Sequence, residues 1–363
     1  MKKKLAVLYS NFGRYYMEEF AKICKQNGIS TDFYTFDESP YKGENADNIF
    51  YMGKKPNTKN IKQIKEFDKK LRQIVQDKEY DYIITDCLPL SFTCNVFHLF
   101  TLSNKIKHTT LPFIRFIYQI GHLRRLLHEK SFYKNCPKTI VVSNAMKADY
   151  SKTCNIANDS ISVIYPGTQF KHEQHFIMPS YDKNQPFVIG MNANGFVTKG
   201  GYILLNALKI LKRTNPNLSF KARIIYPKFK KLSLINLYIN IFGLKDVVEI
   251  CPYQKNMKDF YRSLHCFVCP SKYEAFGRVV AEAMNYKIPT ITATNVGAAD
   301  LIEESTNGYT FKEHCANNLA LKIKTVQSEY ENLYSLTENA YNTVNEITWE
   351  NFAQQLFNVL YGE

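Results

Sequence analysis

Short β-branched apolar runs alternate along the chain with longer segments in which apolar residues recur every three or four positions. A strand buried on both faces reads as a continuous apolar run and a covering helix as a 3.6-residue stripe, so the alternation predicts parallel strands joined by helical crossovers. Two such series are visible. The first holds KLAVLYS (4–10), a helical stretch at 16–27, TDFYTF (31–36), NIFYM (48–52), a polar helix near 57–77, YDYIITD (80–86) and TIVVS (139–143), and SVIYPG (162–167) closes it. A polar stretch, HEQHFIMPSYDKNQ (172–185), leads into the second, which opens on FVIGMN (187–192) and runs through KARIIYP, VVEICP, HCFVCPS, PTITAT and GYTF. The pattern predicts an α/β protein of two doubly wound, Rossmann-like domains facing across a cleft, with ligands at the carboxyl ends of the strands. The expected division is 1–170 and 171–346, with a last helix over 347–363 completing the first domain. That helix carries Phe352, Leu356 and Leu360 at spacing four beside the single tryptophan, Trp349.

Composition adds the kind of partner. At 363 residues, 45% hydrophobic and 22% charged, the chain is globular rather than disordered. Its 47 Lys and Arg against 33 Asp and Glu give a net charge of +14, which favours a partner bearing phosphate or another anion. Nine cysteines, an odd number at low density, read as reduced thiols. No apolar run reaches the roughly 18 to 20 residues of a membrane span, and the apolar core of MKKKLAVLYSNFGRYY is too short for a signal peptide. The expected location is the cytoplasm, extending to peripheral attachment on the inner face of the cytoplasmic membrane. The segment 105–138 carries eight Lys or Arg against one acid, Glu129, among Phe, Ile, Leu and Tyr. It fits either a surface attracted to anionic lipid or a helix pair that buries its apolar side on the protein.

The chemistry concentrates in HCFVCPSKYEAFGRVVAEAMNYKIPTITATNVGAADLIEESTNGYTF (265–311). A strand ends near Pro270, Glu274 sits in a polar loop, Gly277 stands where a helix should start, and Glu282 falls two turns in. The two carboxylates are then on the order of 10 Å apart. That exceeds the spacing at which a glycosidase pair grips one bond, and suits a longer ligand. Between them lies a helix N-terminus with unpaired N–H groups and a glycine allowing close approach, a general anion site. The plain alternative is two solvated helix-face charges. Cys266 and Cys269 form a CxxC, yet no second ligand pair stands at zinc spacing, so buried strand cysteines are the favoured reading.

EAFGRVVAEAM followed by IPTITATNVGAADLIEESTNGYTF resembles the donor-site signature of the retaining glycosyltransferases of family 4, which have the GT-B fold and two glutamates separated by seven residues. IVVSNAMKADY (140–150) and ISVIYPGTQF (161–170) are similar to the end of that family's acceptor domain. NGFVTKGGYILLNALKIL (194–211) is similar to the phosphate-contacting loop that opens its donor domain. The resemblance implies a nucleotide-diphosphate sugar, UDP- or GDP-linked, as co-substrate, with no further cofactor, and a glycan or lipid-linked glycan as acceptor. Related enzymes build lipopolysaccharide and other cell-surface glycans.

Carried over by residue, the resemblance implies that Glu274 contacts sugar hydroxyls, that the amides of Phe276 and Gly277 and the helix opening at Arg278 meet the diphosphate, and that Glu282 binds the ribose. Lys199 adds a cation to the diphosphate. Many relatives place an arginine a few residues earlier; GMNANGFVTKGG has none, leaving Lys199 alone or Asn192 or Asn194 in its stead. Gly13 falls where the family has glycines facing the reaction centre. His98 stands where lipopolysaccharide sugar transferases have an active-site histidine, though between Phe97 and Leu99 it reads equally as a core residue. Glu129 resembles a family glutamate below the cleft, or is a surface charge. No Asp-x-Asp occurs, so the carboxylate pair that often holds a metal on a nucleotide diphosphate is missing and metal independence is expected. The rival readings are a nucleotide-sugar 2-epimerase of the same fold and a non-enzymatic binder of an anionic partner. No nucleic-acid-binding module is visible.

Overall fold

The computed structural model describes residues 3–8, 14–36, 43–57, 60–86, 90, 92–97, 127, 136–168, 176–226, 233–252 and 257–362. The chain divides into two compact units, Met1–Gly167 with Ile347–Glu363, and Thr168–Glu346.

In the first unit β1 (Lys4–Leu8), α1 (Arg14–Gln26), β2 (Ser30–Thr35), β3 (Asn48–Tyr51), α2 (Ile61–Val75), β4 (Tyr82–Asp86), β5 (Cys94–Phe97), β6 (Thr139–Val141), α3 (Asn144–Cys154) and β7 (Ile161–Val163) follow in order. All seven strands pair in parallel, in the order β3-β2-β1-β4-β5-β6-β7. The order runs outward from β1 in both directions, which with right-handed crossovers places helices on both faces. Helix α2 shows how the pattern becomes structure. The Asn60 side chain caps it by accepting from the Lys62 and Gln63 amides, and Ile64, Phe67, Leu71 and Val75 form its buried stripe. The apolar pattern did not predict β5, a four-residue strand containing Asn95; it is a strand because β4 and β6 pair with it on either side.

The second unit runs β8 (Phe187–Asn192), α4 (Gly201–Thr214), β9 (Phe220–Tyr226), α5 (Ser233–Ile241), β10 (Val248–Pro252), α6 (Lys258–Arg262), β11 (Cys266–Cys269), α7 (Arg278–Asn285), β12 (Thr290–Ala293), β13 (Tyr309–Phe311), α8 (Ala316–Glu329) and α9 (Tyr334–Asn345). Its sheet is also parallel, in the order β10-β9-β8-β11-β12-β13. The winding reverses between β8 and β11, the place where a doubly wound sheet leaves a crevice at its strand ends.

The last helix, α10 (Trp349–Tyr361), belongs to the first unit. Thr348 caps it by accepting from the Asn351 amide. Trp349, Phe352, Ala353, Leu356, Phe357 and Leu360 join Leu5, Val7, Phe20 and Phe33 in one core. A Cβ on Gly167 would fall 2.6 Å from the Trp349 ring, so the end of the first unit's main segment needs glycine to lie against this helix. Leu356→Ala should therefore cost about 2 to 5 kcal/mol of stability. Because Trp349 is the only tryptophan, its fluorescence during denaturant unfolding reports the change; an unmoved midpoint would show that α10 is not core.

Candidate functional site

The carboxyl ends of β8 and β11 open on a cavity of about 530 Å³ within the second unit. Asn192, the last residue of β8, lines it, and so does Asn194, whose amide donates to Asn192 Oδ1 at 3.3 Å. The loop continues through a turn in which the Lys199 amide donates to the Gly195 carbonyl at 2.8 Å. It ends at Gly200, where φ is +73° and a Cβ would lie 1.8 Å from the Pro270 carbonyl oxygen. Backbone cannot yield as a flexible side chain can, so only glycine lets this loop rest on the end of β11. That contact brings Lys199 to Glu274, whose Oε2 accepts from Nζ in an ion pair with both side chains partly open, 29% and 23% exposed. The Ser271 hydroxyl donates to the same oxygen at 3.5 Å.

The loop carrying Glu274 is tied down by backbone. Gly297 N–H donates to the Glu274 carbonyl at 3.0 Å and Ala298 N–H to that of Phe276 at 2.5 Å. Gly277 follows with φ of +96°; a Cβ there would meet Val296 Cγ1 at 2.8 Å and Glu274 Cγ at 3.2 Å. Helix α7 begins directly after it with no side-chain cap. Gly277 and Arg278, at the positive end of the helix dipole, line the cavity.

Farther along α7, Glu282 accepts a hydrogen bond at Oε2 from the Tyr261 phenol at 2.8 Å. Tyr261, on α6, is fully buried and stacks on Tyr286 with ring centroids 5.2 Å and planes 16° apart. Burial pushes the Glu282 carboxyl above the usual carboxylate range, against the Tyr261 hydrogen bond and the Arg278 charge, which pull it down. Burial, then the Glu282 charge, pushes the Tyr261 phenol well up.

Asn194, Lys199, Glu274, Gly277, Arg278 and Glu282 thus line one cavity, as does Asn192. Phe276 is buried beside it, 4% exposed, and is absent from its walls. Gly13, His98 and Glu129 lie outside the described residues, as does the basic segment 105–138 apart from 127 and 136–138. Sequence reasoning missed Ser271, Tyr261 and Tyr286. The spacing of four between Glu282 and Tyr286 was a readable signal; Tyr261 comes from another element and carried none. Cys266 and Cys269 are buried free thiols in β11 that burial pushes up. Among the described residues, no group of three or more His, Cys, Asp or Glu side chains could hold a metal, and no helix is long and apolar enough to cross a membrane.

Two Rossmann-like units, each on its own parallel sheet, with a cavity at the switch point of the second, are those of the GT-B fold. Residues 14–172 match the model of Glycosyltransferase Family 4 and residues 173–343 that of Glycosyl transferases group 1, and the chain belongs to this family. It is 26% identical over 244 residues to an uncharacterised glycosyltransferase of Methanocaldococcus jannaschii, a match covering 63% of this chain and 60% of that one. It is 25% identical over 243 residues to the capsular polysaccharide biosynthesis glycosyltransferase CapM of Staphylococcus aureus, covering 62% of each. The chain thus spans about three fifths of the length of these curated relatives. Among solved structures, HepE of Anabaena in complex with UDP superposes with a TM-score of 0.69 at 17% identity, covering 99% of this chain and 100% of that one.

Because the approach at Gly200 is backbone against backbone, Gly200→Ala should destabilise the second unit by about 1 to 3 kcal/mol. Chemical unfolding followed by circular dichroism measures it. A stability equal to wild type would mean that the loop reaches β11 by another path.

Proposed function

We propose that this cavity takes a nucleotide-diphosphate sugar, UDP- or GDP-linked, and that the protein is a retaining hexosyltransferase acting on a glycan or lipid-linked glycan. The observation that carries the reading is the sequence of groups in one cavity: the Lys199–Glu274 pair, the opening of α7 at Gly277 and Arg278, and Glu282 farther along the same helix. An acid, a cationic and amide-rich stretch and a second acid match, in order, sugar hydroxyls, diphosphate and ribose hydroxyls. HepE, of the same fold, is solved with UDP, and CapM acts in capsular polysaccharide biosynthesis; both support the choice of donor and acceptor class.

Lys199 is neutralised by Glu274 before donor arrives. A diphosphate competes for its N–H groups, and the exchange releases Glu274 to accept from the sugar. In the transfer itself the bond between the anomeric carbon and the diphosphate oxygen breaks and the acceptor hydroxyl oxygen bonds to that carbon on the same face. The acceptor's proton passes to the departing phosphate oxygen. No protein base is needed, and the charge growing on the diphosphate is met by Lys199, Arg278 and the helix dipole in place of a divalent cation.

Lys199→Ala should weaken UDP or GDP binding by about ten- to a hundredfold, the loss of one charge-assisted hydrogen bond, with calorimetry as the measurement. Incubation with a panel of nucleotide sugars and acceptors should release nucleoside diphosphate in the presence of a chelator and give a product whose anomeric configuration, read by NMR, equals the donor's. An inverted product would sink the retaining mechanism, activity lost with the chelator would sink metal independence, and sugar conversion without acceptor would identify a 2-epimerase.

A further inference from the structure

Glu282 stands partly buried at the cavity wall, where its carboxylate must be held by donors from the protein. The Tyr261 phenol supplies one at 2.8 Å, and the phenol has little freedom of its own. Its ring is fully buried, lies flat on Tyr286 and packs against Phe267 at 5.6 Å. Tyr286 is in turn held edge-on by Phe176 at 5.5 Å. The donor is therefore fixed by aromatic packing that reaches well beyond the cavity.

We propose that Tyr261 is a positioning residue for Glu282: its O–H anchors Oε2 and leaves Oε1 to accept from the vicinal hydroxyls of a bound ribose. This rests on reading the cavity as a nucleotide-diphosphate site.

The electrostatics give the sign of the effect. Burial opposes the charged form of Glu282, while the Tyr261 hydrogen bond and the Arg278 charge favour it. The phenol, pushed well up by its own burial, stays protonated and keeps donating at neutral pH. The other ionisable groups sharing the cavity are Lys199, Glu274, Cys269 and Tyr286. Without the phenol O–H, only Arg278 offsets burial, so Glu282 takes up a proton at a higher pH. The protonated acid loses the acceptor charge that a ribose hydroxyl needs.

The test is calorimetry of UDP and GDP from about pH 5 to about pH 8 on wild type, Tyr261→Phe and Glu282→Gln, beside carboxyl-¹³C NMR of labelled glutamate, in which Glu282→Gln assigns the signal. Wild-type affinity should fall as pH is lowered through the Glu282 titration, and Glu282→Gln should bind about tenfold more weakly with no such fall. Tyr261→Phe should move both the affinity limb and the NMR midpoint up by about one pH unit, and recover most of its affinity at the alkaline end. A purely structural tyrosine would weaken binding equally at every pH. Should Tyr261→Phe fold poorly, 3-fluorotyrosine in the wild-type chain provides the second probe: its more acidic phenol donates more strongly and should move the limb down. A limb and midpoint that stay at wild-type values overturn the role of Tyr261 while leaving the cavity reading intact. Wild-type protein that takes up neither nucleotide overturns that reading and the role with it.

Discussion

The site depends on one steric fact, the contact of a loop with the end of a strand where no Cβ can fit. Gly200 places its α-carbon against the Pro270 carbonyl, and everything on the cation side of the cavity follows from that approach. Lys199 precedes it, so its ammonium arrives beside Glu274 rather than in solvent. Gly277 repeats the device on the other side, where a side chain would collide with Val296 and with Glu274 itself. Two glycines with positive φ thus draw the ends of β8 and β11 and the start of α7 close enough for their polar groups to line one cavity.

Such a site needs a rigid base, and the parallel sheet gives it one. Cys266 to Cys269 are buried along all of β11, paired on both sides by β8 and β12. A strand with two neighbours cannot shift without breaking two hydrogen-bonded ladders, so the loop after it starts from a fixed point. Helix α10 does the same work for the first unit by a different route: the chain leaves the second unit and spends its last apolar stripe on the core beside β1 and α1.

Most of the fold was legible because burial imposes a period. KLAVLYS, TDFYTF, FVIGMN and HCFVCPS could be strands by pattern alone, and Ile64, Phe67, Leu71 and Val75 could hardly be anything but a helix face. β5 was not legible, because four residues with an asparagine among them show no period and become a strand only through neighbours from elsewhere in the chain. The site divides in the same way. Glu274, Gly277, Arg278 and Glu282 lie within nine positions, so loop and helix geometry projected them together. Lys199 was reached only through a resemblance, and Tyr261 by nothing in its local sequence, since its partner sits 21 residues later and the meeting is a product of tertiary packing.

The charge of the cavity differs from that of the whole chain, and the difference bears on how the proposed donor would be held. The chain is strongly basic, at +14, yet the cavity sets two cations, Lys199 and Arg278, against two acids, Glu274 and Glu282. A formally balanced pocket does not concentrate anions by bulk attraction; it selects them by geometry. Lys199 is paired with Glu274, and Arg278 opens the helix that carries Glu282 one turn on, so on the proposed reading a ligand anionic in its middle and rich in hydroxyls at both ends would offer each of these groups a partner. Free phosphate would meet Lys199 while leaving Glu282, already raised by burial, with no hydroxyl to accept from. On that reading the arrangement would favour the length and order of the ligand above its charge, and the excess positive charge of the chain lies outside this cavity.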